Sequence, residues 1–178
     1  MHTNRRSASS QKGSDSGATL QASLRIISGG QTGVDRAALD AALEMGIPCG
    51  GWCPKGRLAE DGCISQRYPL KETRTSQYQE RTRLNVRDSE GTLILKAGEL
   101  KGGTALTVKL ARGMKKPLLL IDLELNPDPA RVRRWIHANN ICVLNVAGPR
   151  ESGSPGIHDL ALGFLRKVFQ NDKTGKNS

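Results

Sequence analysis

Aromatic residues are scarce in this chain, 3% of 178 positions. Trp52, Trp135, Tyr68, Tyr78, Phe164 and Phe169 carry its rings. Proteins that hold single-stranded nucleic acid stack bases on aromatic platforms, so so few scattered rings argue against that class. No run of about 18 apolar residues occurs, which argues against a transmembrane helix. Histidine is as sparse: His2, His137 and His158 stand apart, and none is near Cys49, Cys53 and Cys63. With Cys142 further on, the cysteines form no paired CxxC framework, so no metal ligand is nominated. Reduced cysteines fit a cytoplasmic protein. The patterns GxxxxGK[ST] and GxGxxG are missing. No Ser–His–Asp set is readable, since only His158 stands near a glycine-rich turn, and no catalytic residue is nominated.

What the chain does have is positive charge, a net +10. That balance favours anionic partners: phosphorylated metabolites, nucleic acid or an acidic membrane surface. Residues 1–23 are rich in Ser, Gly and Gln with almost nothing apolar, and are expected to be a disordered basic tail. Residues 171–178 form a second polar tail. Residues 24–170 are long enough for one domain with a real core.

Within that domain short apolar runs alternate with helical patterns. Strands are expected at 24–27, 47–52, 92–95, 117–121 and 141–146. Helices are expected at 36–45, 78–88, 105–112, 129–139 and 157–169, with Gly46 and Gly113 as stops and Pro129 in a first turn. The strands are continuously apolar rather than alternating, as burial on both faces requires. The pattern predicts an α/β fold: a Rossmann-like, doubly wound, mostly parallel sheet with helices on both faces.

In such sheets ligands bind at the carboxyl ends of the strands. Three glycine-rich turns are expected there: SGGQTG (28–33), GELKGGT (98–104) and AGPRESGSPG (147–156). A glycine turn that opens a helix exposes backbone amides at the positive end of the helix dipole, and an anion is its natural guest. The amides of Gly29, Gly30, Gln31, Thr32 and Gly33, and of Gly102, Gly103 and Thr104, are therefore candidates to hold a phosphate. Thr32, Thr104 and Ser152 add hydroxyls. Arg81, Lys101 and Arg150 would neutralise charge. The loop 52–62, with Lys55, Arg57, Glu60 and Asp61, is long enough to be a lid over the ligand.

Six blocks in order, GGQTGVDRAALDAA, GWCPKGRLAEDG, YPLKE, RTRLNV with DSEGTLI, GGT and AGPRES with PGI, resemble the molybdenum cofactor carrier protein family. The resemblance runs from about Leu24 to Phe169. It implies a Rossmann-like protein that stores, protects or passes on molybdenum cofactor (molybdopterin), an anionic and phosphate-bearing ligand. It implies molybdoenzymes or cofactor-biosynthesis proteins as partners, and a homo-oligomer. The family is related to lysine-decarboxylase-like phosphoribohydrolases, which would make nucleoside 5′-monophosphate cleavage the alternative activity. Those enzymes carry PGGxGTxxE. Here LKGGTALTVK (100–109) places Thr107 or Lys109 where the Glu belongs, so the carboxylate is missing. A single-stranded nucleic-acid module using the +10 charge is the second alternative.

Overall fold

The protein is described by a computed structural model over residues 24–170. The expected tails at 1–23 and 171–178 lie outside the described residues.

The chain opens with β1 (Arg25–Ile27) and α1 (Val34–Glu44). Four short strands follow: β2 (Cys49–Gly50), β3 (Trp52–Cys53), β4 (Leu58–Ala59) and β5 (Gly62–Cys63). Then come β6 (Lys71–Glu72), α2 (Tyr78–Asp88), β7 (Gly91–Lys96) and α3 (Gly102–Gly113). The rest is β8 (Leu118–Asp122), a 3-10 turn at Leu123–Leu125, α4 (Pro129–Ala138), β9 (Val143–Ala147) and α5 (Ile157–Phe169). Among the described residues no helix is long and apolar enough to cross a membrane.

Five strands make one fully parallel sheet in the order β2-β1-β9-β7-β8. Leu93, Leu95, Leu144 and Val146 lie at its centre without solvent exposure, as the continuous apolar runs require. Helix α1 packs on α5, which packs on α4, while α2 packs on α3. The sheet is thus covered on both faces, an α/β doubly wound Rossmann-like fold.

The last strand, β9, is the central one. Read from β9 onward, with β1 next, the strand order becomes third, second, first, fourth, fifth. That is the inner order of a doubly wound dinucleotide-binding sheet, begun at a different point of the ring. Helix α5 ends at the sheet edge where β1 begins, and Leu24 and Phe169 share the main core cluster.

The expected strand at 47–52 is two strands. Gly51 turns the chain at a φ of 126°, and a Cβ there would collide with the Ser28 carbonyl. The chain therefore leaves the main sheet after Gly50, and β3 pairs with β6 instead. The long loop after it is also more ordered than its composition suggests. Strands β4 and β5 form a hairpin. Arg57, read as a lid residue, is buried at 5% exposure. Its guanidinium donates to the carbonyls of Ile64 (2.9 Å), Ser65 (2.8 Å), Tyr68 (2.9 Å) and Leu70 (3.2 Å). It is the centre around which this segment winds.

Candidate functional site

Because all five strands are parallel, β1, β7 and β9 end at one edge, and the three glycine-rich turns leave from it side by side. A cleft of about 570 Å³ opens there. Its floor is Ala97 and Ala147–Pro149, after β7 and β9.

One wall is the start of α3. Lys101 stands at the N-cap position and no side chain caps the helix. The first-turn amides of Gly102, Gly103 and Thr104 have no intrahelical acceptor, and all three residues line the cleft. Gly102 has a φ of 52°, and a Cβ added at 102 or 103 meets nothing within 4 Å. These glycines face open space. Thr104 is buried, while Gly102 and Gly103 are exposed. The Lys101 ammonium lies 3.2 Å from Glu99 in a fully solvated pair.

The opposite wall is α2. Tyr78, Arg81 and Thr82 recur at the spacing of one helix face and line the cleft. Arg150 crosses from the turn after β9 and lays its guanidinium over the Tyr78 ring, 4.8 Å from its centroid. Arg81 donates to Asp35 at 2.7 Å in a nearly buried ion pair. Sequence reasoning nominated Arg81 but missed Tyr78, Thr82 and Asp35. The 78/81/82 spacing was the available signal.

Gln31 also lines the cleft and is 2% exposed. Its Oε1 accepts from the amides of Thr32 (3.0 Å) and Glu60 (2.9 Å). Its Nε2 is buried with no partner. A buried donor without an acceptor costs about 1–3 kcal/mol, and Arg36 Nε and Arg81 Nε share this state.

The first glycine turn is different from what its pattern suggests. Gly29, Gly30, Thr32 and Gly33 do not line this cleft. The Val34 amide, first in α1, donates to the Pro149 carbonyl at 3.2 Å. A Cβ at Gly33 would collide with that same carbonyl, and one at Gly29 with the Arg81 guanidinium. These glycines let turns pack against each other rather than admit a ligand. Thr32 is not a helix cap. The N-cap is Gly33, and the Thr32 hydroxyl donates to Glu60 and accepts the Glu151 amide at 3.2 Å. Of the candidate residues, the structure brings together Gln31, Arg81, Lys101, Gly102, Gly103, Thr104, Arg150 and Ser152.

The 52–62 segment does not cover the cleft, which contains none of its residues. It is latched beside it. The Glu60 carboxylate accepts from Thr32, from the Ser152 amide (3.1 Å) and from the Ser152 hydroxyl (2.5 Å). Asp61 pairs with Arg36. Burial raises the Glu60 carboxyl, but the Ser152 and Thr32 hydrogen bonds outweigh it and hold the group below its ordinary range.

His158, beside the third turn, faces away from the cleft. Its imidazole lies 3.0 Å from Asp40 and 2.9 Å from Asp159. Burial lowers its pKa, but the bonds to Asp159 and Asp40 prevail and raise it. It ties α5 to α1. No group of three or more His, Cys, Asp or Glu that could hold a metal ion occurs among the described residues.

A family model described as the circularly permutated YpsA SLOG family matches residues 26–169. The crystal structure of a "Putative molybdenum carrier protein" from Syntrophus aciditrophicus SB, at 1.45 Å resolution, is 48% identical to this chain. It aligns with a TM-score of 0.79 over 84% of this chain and 96% of that one. No curated protein matches.

Proposed function

The chain belongs to the circularly permutated YpsA SLOG family, and from that premise we propose that it binds and carries an anionic, phosphate-bearing small ligand, with molybdenum cofactor the first candidate. The observation that carries this reading is the uncapped start of α3 in a cleft with three cationic side chains. The phosphate sits on the amides of Gly102, Gly103 and Thr104. Arg81, Lys101 and Arg150 supply positive charge, and Ser152 lines the cleft with its hydroxyl given to Glu60.

Molybdenum cofactor fits these donors as cargo. Its phosphate suits the start of α3. The similarity to a protein named as a molybdenum carrier supports the same ligand class. The protein's own groups hold the cargo by its phosphate. Binding is favoured over cleavage because the buried cleft carboxylate, Asp35, is tied to Arg81, while the other, Glu99, is solvated. Thr107, one of the two positions where the hydrolase relatives carry Glu, donates its hydroxyl to the Gly103 carbonyl at 2.8 Å. Assembly into a homo-oligomer in the cytoplasm, and hand-over to molybdoenzymes or cofactor-biosynthesis proteins, belong to the same reading.

The test is a thermal-shift comparison of molybdenum cofactor, nucleoside monophosphates and single-stranded DNA. A ligand that binds only the native state stabilises it by about 2.7 kcal/mol at a hundredfold excess over Kd. A shift with the cofactor alone supports the carrier reading. A shift with a nucleotide and none with the cofactor overturns the ligand and makes release of free base the next assay.

A further inference from the structure

The Glu60 carboxylate bridges the first and third glycine-rich turns. One carboxylate is held by three donors from two turns: the Thr32 hydroxyl, the Ser152 amide and the Ser152 hydroxyl. Arg150 adds attraction from nearby. Hydroxyl and amide donors of this kind accept a phosphate-type oxyanion as readily as a carboxylate.

Two further features make this more than a surface bond. Ser152 borders the main cleft and also a second, wide cleft of about 620 Å³, where three more carboxylates stand beside Glu60: Asp61 is held by Arg36, Glu151 by the Gly156 and His158 amides, and Asp159 by His158. Ser152 therefore stands between the two, and Glu60 holds it from the side of the second cleft. Beside it, the buried Gln31 gives its Oε1 to the Glu60 amide while its Nε2 is buried without a partner. Glu60 is itself exposed, at the tip of the β4–β5 hairpin, so it is free to swing outward without unpacking the core.

We propose that the Thr32–Ser152 cradle is a second anion subsite, which Glu60 fills until an oxyanion of the ligand displaces it. Displacement joins the two clefts into one trough. The ligand class is then a small molecule with two anionic groups, one on the start of α3 and one in the cradle. This rests on the proposed function for the first group only.

The experiment follows backbone amides by 15N–1H spectra during titration with inorganic phosphate. In the wild-type protein the Gly103 amide moves first, and the Ser152 amide moves only at higher phosphate concentration, as Glu60 is displaced. In Glu60→Gln the Ser152 amide moves at lower concentration, with apparent affinity there raised about tenfold, as expected on removing a charge-assisted competitor. Glu60→Ala gives the same result, so a folding defect in one variant leaves the other to decide. A Ser152 amide unmoved in both variants overturns the subsite. A Gly103 amide unmoved in every protein overturns the proposed function, while a responsive Ser152 amide in Glu60→Gln still upholds the cradle.

Discussion

The turns at 28–33 and 98–104 look alike in sequence, each a glycine pair with a threonine after an apolar strand, yet they do opposite things. In the first, Gly29, Gly30 and Gly33 are buried, the leading amide of α1 is taken by Pro149, and the hydroxyl of Thr32 holds Glu60. In the second, Gly102 and Gly103 are exposed, nothing crowds them, and no side chain caps α3. A helix N-terminus has the same orphan amides in both cases. What differs is whether the chain supplies the acceptor. The third turn sides with the first: Glu151 accepts the Gly156 amide (2.5 Å) and the His158 amide (3.1 Å) at the start of α5. The helix end left without an internal anion is the one that suits an external anion.

The comparison makes its largest demand on stability at Gly33. Gly33→Val must place a Cβ against the Pro149 carbonyl at a φ of 73°. The expected cost is roughly 3 kcal/mol or more, from overpacking plus backbone strain, measured by urea denaturation. A stable Gly33→Val protein would break the distinction. Asp35→Ala should cost about 3 kcal/mol in the same assay, because it strands the Arg81 charge at 12% side-chain exposure.

Gly103→Val should behave in the contrary way. Its stability should stay within about 1 kcal/mol of wild type, since a Cβ there meets nothing and helix propensity favours valine over glycine, while affinity for the proposed phosphate-bearing ligand falls at least about tenfold. Retained affinity, measured by calorimetry, would move the phosphate away from α3. Lys101→Ala is expected to weaken binding only about threefold and to flatten its salt dependence, because the side chain is 80% exposed and screened.

The smallest effect is on acid stability. Glu60 titrates below its ordinary 4.5, so its contribution is complete above that pH. It is lost as pH falls through the lowered value. Glu60→Gln should therefore lose less stability than wild type on acidification below about pH 4.5, followed by circular dichroism. Parallel acid limbs in the two proteins would show that the latch carries no weight.

Much of the fold was legible because it depends on local pattern. Continuous apolar runs such as Leu93–Leu95 demand burial on two faces, and the stripe Ala37, Ala38, Ala41, Ala42 demands one helix face. The split at Gly51 was not legible, since it answers to the Ser28 carbonyl across the fold. The start of α3 at Gly102 rather than Ala105 was hidden by glycines that local propensity disfavours in a helix. Of the site, the cleft edge and the residues 102–104 could be read, and so could Arg81. The role of Arg57 could not, because its acceptors are four carbonyls spread between Ile64 and Leu70.

The sequence by itself determined the class of architecture and the edge of the sheet at which the glycine-rich turns gather, because hydrophobic periodicity and glycine placement act over a few residues. Only the tertiary structure decided which turn is open. That choice depends on Pro149 meeting Val34, Glu60 meeting Thr32 and Ser152, and Arg81 meeting Asp35. Those pairs are set by the order of strands around β9, and no local pattern contains them.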